Sequence, residues 1–271
     1  MKIELVLRLC KLTSYSYYKK LGKRKNSGRK PSITTPKINE HGDLEEIKED
    51  LVVQRIIDTL ILPETSYGYR AMTIALQHEG FIINHKKVYR LMHKYLLLGD
   101  KNKRVARSYV KYRRVNPCRP LEVLEMDIKF QFVAEHQRYA FILTVIDCFS
   151  RKVLDWTVAY SIKRAQIKSI WEQIIVKHLQ PEGLLEKQLT LELRNDNDTR
   201  FAAKDVQKYF ANNHINQVFT HPYTPQENGH VESFHAILGR SLAMKEYRTL
   251  NDLTLHLNHF YHIYNNVRLH G

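Results

Sequence analysis

Residues Leu121–Phe130 read LEVLEMDIKF. Six apolar side chains fill this run of ten, with no Gly or Pro, which predicts a β-strand. Asp127 lies inside it, between Met126 and Ile128. An unpaired carboxylate in such a setting is costly, so this one calls for a purpose. Two more acids stand in similar positions. Asp196 ends a second strand-like run, Leu189–Asp196 (LTLELRND). Glu232 lies in Pro225–Arg240 (PQENGHVESFHAILGR), where a helix is predicted to begin, and 35 residues separate it from Asp196. Three carboxylates on two strands and one helix can converge on a pair of divalent cations. Such a pair can drive phosphoryl transfer on nucleic acid. Mg²⁺ and Mn²⁺ prefer oxygen ligands. The expected assignment has Asp127 bridging two ions, with Asp196 and Glu232 each holding one.

With 28 acidic residues in the chain, spacing alone is weak ground. Asp147, Asp198 and Glu227 are rivals or helpers. For strand-embedded Asp147 the plain alternative is a salt bridge, with Arg151 as the candidate partner.

Downstream of Leu121 the runs Tyr139–Phe149 and Val153–Tyr160 continue as strands in close succession, an antiparallel meander. A helix over Lys163–His178 follows, then the strand ending at Asp196. Next come a helix at Ala203–His214, a short strand at Asn216–Thr220, and helices near 226–246 and 251–265. This order predicts an α/β fold with a mixed sheet. His256, His259 and His262 recur every three residues, interleaved with apolar ones. A helix with a polar edge explains them better than a metal knot.

Upstream, three short helices are expected. Residues 44–61 show helical periodicity, Ala71–His78 starts a second helix, and residues 86–97 (KKVYRLMHKYLL) give a third. The third carries Lys86, Lys87, Arg90 and Lys94 opposite its apolar stripe. This pattern fits a helix-turn-helix module that holds DNA. An ordinary helical subdomain with a basic surface is the alternative. Residues 1–43 read as a basic arm, with 13–37 flexible. Residues 99–120 form a basic connector that includes Arg104, Arg113 and Arg114.

Charge follows the same division. Residues 1–120 hold 26 Lys and Arg against 11 Asp and Glu, whereas residues 121–271 hold 17 of each. All of the net +15 lies in the first part, as expected for a polyanion-gripping part joined to a separate working part. Cys10, Cys118 and Cys148 are far apart, which argues against a disulfide framework and fits a reducing cytosol. No apolar run is long enough for a membrane span.

From about residue 45 onward the chain resembles insertion-sequence transposases of the IS-three group, in their second-reading-frame product. The residues that carry the resemblance are Tyr67–Arg70 (YGYR), Val88–Met92 (VYRLM), Leu124–Phe130 (LEMDIKF), Ile146–Lys152 (IDCFSRK), Asn195–Phe201 (NDNDTRF), Tyr223–Phe234 (YTPQENGHVESF) and Tyr264–Gly271 (YNNVRLHG). The resemblance implies an RNase H-like, retroviral-integrase-type core over 121–271, preceded by a helix-turn-helix module at 44–98. It implies Asp127, Asp196 and Glu232 as metal-binding catalytic triad, with Mg²⁺ or Mn²⁺ driving DNA cleavage and strand transfer. It also implies double-stranded DNA ends and target as substrates, a homo-oligomer on DNA, an upstream-frame partner product, and work in the bacterial cytosol at the nucleoid. Two positions depart from the family. Asp198 stands where it has Gly. Gly239 stands where many members carry Lys or Arg, with Arg240 one step later and taken here as a DNA contact. The family's C-terminal tail runs further, so a clipped tail is expected. The alternatives are a decayed DNA-binding relative and a nuclease of the same fold.

Overall fold

The computed structural model describes residues 32–99, 115–183, 191–221 and 225–270, together with Leu7, Cys10 and Thr13. Arg104, Arg113 and Arg114 lie outside the described residues.

Five strands form the central sheet: β3 (Val123–Val133), β4 (Arg138–Asp147), β5 (Val153–Ala159), β6 (Leu191–Asn195) and β7 (Ile215–Phe219). Two earlier strands, β1 (Thr34–Ile38) and β2 (Leu44–Lys48), lie outside this sheet, whose order is β5-β4-β3-β6-β7. The first three are an antiparallel meander, and β6 and β7 run parallel to β3. The mixed sheet expected from the sequence is therefore present.

Successive side chains on a strand point to opposite faces, and β3 uses this fully. Leu124, Met126 and Ile128 join one core with Leu143, Val145, Trp171 and Phe210. Two helices supply the far side of that core, Arg164–Ile174 and Lys204–Asn212. The Trp171 indole lies edge-on to Phe210, with ring centroids 5.1 Å apart. Glu125 and Asp127 alternate to the other face. There Ala140, Ile142 and Ile146 meet two further helices, Gly229–Leu242 and Leu250–Asn266, through Val231, Phe234, Phe260 and Tyr261. The face carrying the acids is thus the one roofed by the helix that carries Glu232.

The N-terminal part contains the three expected helices, α1 (Glu49–Leu60), α2 (Tyr69–His78) and α3 (His85–Lys94). Their core holds Val52, Ile56, Met72, Leu76, Val88 and Leu91. Asn84 caps α3 by accepting from the Lys87 amide at 3.0 Å, as N-cap residues do. By chain order the later helices are α4 (Arg164–Ile174), α5 (Lys204–Asn212), α6 (Gly229–Leu242) and α7 (Leu250–Asn266).

One expectation fails here. Thr34–Ile38 belongs to the stretch read as arm, and Leu44–Lys48 to the stretch read as helix. They are instead β1 and β2 of an antiparallel hairpin. The hairpin is anchored on α2's exit turn, where the Ile38 amide donates to Gly80 O at 2.9 Å. Gly80 has φ +90°, and a Cβ there would lie 2.5 Å from Ile38 O. Only glycine admits so close a backbone approach in that conformation. The anchor is tertiary, so local periodicity could not show it.

Candidate active site

Three elements bring the triad to one place. Asp127 projects from the middle of β3. Asp196 directly follows β6, the parallel neighbour of β3. Glu232 sits in the first turn of α6, which packs on β3. Asp127 is central: it acts electrostatically on each of the other two. Burial, and then the charge of Asp127, hold Glu232 above its ordinary carboxylate range. Asp196 is raised too, chiefly by burial, with the Asp198 amide opposing and Asp127 adding. The carboxylates do not close on a single point, since no trio of their oxygens lies within 4.8 Å of one another.

His235 was missed by sequence reasoning. It lies one helical turn beyond Glu232, where i and i+3 side chains share a face. Its Nδ1 lies 3.3 Å from Asp127 Oδ2. The spacing in ESFH was the available signal. Lys129 was missed as well. It leaves β3 on the same face as Asp127, and its Nζ would lie 3.5 Å from a Cβ at position 239. A lysine from the strand therefore stands beside Gly239.

The rivals have local duties. Asp198 is gripped by Arg200, whose Nε donates to Oδ1 at 2.8 Å and whose Nη2 donates to Oδ2 at 2.5 Å. That ion pair holds the Asp198 carboxyl below its usual range. Asp147 accepts from the Leu121 and Ser150 amides and the Ser150 hydroxyl. The Ser150 bonds shape the turn after β4 and the Leu121 bond ties that turn to the entry of β3, so its structural role rests on these bonds and not on the salt bridge to Arg151 considered from sequence. Glu227 accepts from the His221 amide at 3.0 Å.

The basic residues of α3 are more occupied than the sequence suggests. Lys87 donates to Thr34 O in the hairpin. Arg90 pairs with Glu49 at 2.8 Å, and Lys94 lies 3.6 Å from the same carboxylate. Lys86 is exposed on the free side, and Arg240 is exposed on α6.

Two models described as integrase core domain match residues 117–225 and 213–271, and a model described as HTH-like domain matches 46–105. The integrase-core matches together run over more than half of the chain. The chain from residue 117 onward thus resembles an integrase core. Its relatives include insertion-sequence proteins. It is 26% identical over 170 residues to an uncharacterised 39.2 kDa protein of insertion element IS476 from Xanthomonas euvesicatoria, covering 62% of this chain and 46% of that protein. It is 25% identical over 214 residues to InsK, the transposase candidate of insertion sequence element IS150 in Escherichia coli, covering 75% of this chain and 72% of InsK. The chain spans less than half the length of the IS476 relative. Among solved structures, the HTLV-2 integrase catalytic core in complex with magnesium aligns at TM-score 0.40 and 18% identity, covering 56% of this chain and 91% of that one. The integrase-core chain is similar to the DDE transposases of the IS-three group, as its motifs imply.

Proposed function

We propose that this integrase-core chain is a DNA transposase, cutting the ends of an insertion element and joining them to target DNA. The observation that carries this reading is the convergence of Asp127, Asp196 and Glu232 from β3, the end of β6 and the first turn of α6. The donor set is all carboxylate and partly open to solvent, which fits Mg²⁺ or Mn²⁺. Asp127 would be shared by two ions, with Asp196 and Glu232 each holding one. Bound there, the ions would activate a hydroxyl and steady the departing 3′-oxygen at a DNA phosphate. The protein's own part is to hold these acids in place. His235 fixes Asp127 from the helix side. The Asp198 amide, 3.1 Å from Asp196 Oδ1, fixes Asp196 from its own loop. Lys129 adds positive charge where a phosphate would lie. The helix-turn-helix region supplies the grip on double-stranded DNA, in the cytosol, with further copies of the chain and an upstream-frame product as partners in synapsis.

The deciding experiment uses a labelled duplex carrying the element's own end, with and without Mg²⁺ or Mn²⁺, beside Glu232→Gln. Metal-dependent cleavage that disappears in the variant supports the enzyme, and joined product separates a transposase from a nuclease. DNA binding without any product, even with the upstream-frame product added, would favour the decayed reading.

Salt dependence tests the grip. Each phosphate contact contributes about 0.9 to the slope of log K against log salt. Lys86→Glu is expected to flatten that slope by about one contact or more. Arg90→Glu should flatten it less, because Arg90 already spends its charge on Glu49. Equal slopes for wild type and Lys86→Glu would remove α3 from the DNA interface.

The raised carboxylates give a pH prediction. Asp196 and Glu232 bind protons more readily folded than unfolded. Without cations their ionisation therefore costs stability as pH rises through the folded values. A divalent ion relieves that cost. The rise in Tm on adding Mg²⁺ should be larger at pH 8 than at pH 5, and Asp127→Asn should shrink the difference. A shift that is equal at both pH values would remove these carboxylates from the ion site.

A further inference from the structure

Deeper on the same sheet face lies a second cluster. Glu125 precedes Asp127 by one pleat on β3, Cys148 directly follows β4, and His230 is the second residue of α6. One ligand-type atom from each lies within 4.8 Å of the other two. Glu125 and Cys148 are 0% and 1% exposed. Glu125 Oε2 accepts from the Val231 amide at 2.7 Å, which fixes the carboxylate under the helix. Its Oε1 has no N–H or O–H partner, and the Cys148 thiol faces the carboxylate. His230 Nε2 is also buried without a partner. Capping of α6 explains Oε2 alone. It leaves a carboxylate oxygen and a ring nitrogen buried without hydrogen-bond partners beside the Cys148 thiol, an arrangement that costs free energy unless something binds them.

We propose that Glu125, Cys148 and His230 hold one Zn²⁺, distinct from the ions assigned to Asp127, Asp196 and Glu232. The donor chemistry selects the metal. Thiolate and imidazole suit Zn²⁺, whereas Mg²⁺ avoids sulfur. Coordination displaces the thiol proton to solvent, so an anion appears in the site as the cation enters. Arg151 and Arg194 act on Glu125 from nearby, so the carboxylate and the new thiolate must together offset the ion. Of the three, His230 also lines a surface pocket, with Arg151, Ser233 and Tyr264, and a water from that side would complete a tetrahedron. The bound ion would clamp β3, the end of β4 and the first turn of α6 together. That turn carries Glu232.

The test uses the purified full chain with Co²⁺ as the optical probe, so it needs no strand transfer. The expected result is a near-ultraviolet thiolate-to-cobalt absorption band, saturating at about one ion per chain and lost on adding Zn²⁺. Cys148→Ser should abolish the band. Asp127→Asn and Glu232→Gln should keep it, which separates this site from the triad. Zn²⁺ should raise the Tm of wild type and not of Cys148→Ser. No band in the wild type overturns the proposal, as does a band that survives Cys148→Ser or vanishes in Asp127→Asn. Should Cys148→Ser fail to fold by circular dichroism, His230→Gln takes its place. An unaltered cobalt spectrum and affinity in that variant would equally overturn it.

Discussion

Asp127→Asn is expected to lower metal-dependent cleavage and joining by at least about a thousandfold, or roughly 4 kcal/mol of transition-state stabilisation, while DNA affinity changes little. The expectation follows from position. Asp127 acts on both other carboxylates and is the one shared ligand in the proposed pair of ion sites. Asparagine keeps the size and one acceptor oxygen but removes the charge. Folding should survive, because the Asp127 side chain is a quarter exposed and its strand is held by Leu124, Met126 and Ile128 on the opposite face. Single-turnover cleavage and equilibrium DNA binding, measured on the same preparation, check both halves. Collapse of binding together with cleavage would make Asp127 a structural residue.

Ser241→Ala is expected to cost about 1–3 kcal/mol of stability. It acts at the seam between the helical region and the core. Glu64, in the 3₁₀ turn Pro63–Thr65, is 2% exposed. Its Oε1 accepts from the Ser241 hydroxyl on α6 at 2.7 Å, and its Oε2 has no partner. Since that hydroxyl's proton goes to Glu64, the His256 Nε2, 3.0 Å away, must carry the hydrogen that the serine oxygen accepts. Burial, followed by the nearby Lys245 charge, holds His256 below its ordinary pKa, in keeping with a neutral donor. Alanine would leave the buried carboxylate without its side-chain donor and the histidine without its acceptor. Denaturant unfolding checks the loss. A change under about 0.5 kcal/mol, the level of ordinary surface substitutions, would mean that water replaces the hydroxyl and the seam is loose.

Much of the core was legible because its signals are local. Apolar runs of strand length lay between turn residues, and Asp127 stood out as a charge inside one of them. The strands and helices after Leu121 fall close to their expected places for that reason. The hairpin at 34–48 was not legible. LEEIK carries three charges in five residues, so its strand state rests on pairing with Thr34–Ile38 and on Gly80 beyond α2. His256 was read as part of a polar helix edge. His259 and His262 are exposed as that reading requires, but His256 turns toward Ser241. Its partner is distant in sequence and its burial comes from the fold. Glu64 gave no signal, since a Pro-Glu-Thr turn normally faces water. The roles of Lys87 and Arg90 within the helical region depend likewise on contacts 53 and 41 residues away.

The alternation along β3 has an evolutionary side. Leu124, Met126 and Ile128 write one track of the strand, and Glu125 and Asp127 write the other. Substitutions on the first track are felt as folding, and one at Asp127 mainly as chemistry. The two can therefore drift apart. Under the proposed function, a copy that lost Asp127 would keep its hydrophobic track and go on folding, as a protein that still binds DNA ends it no longer cuts.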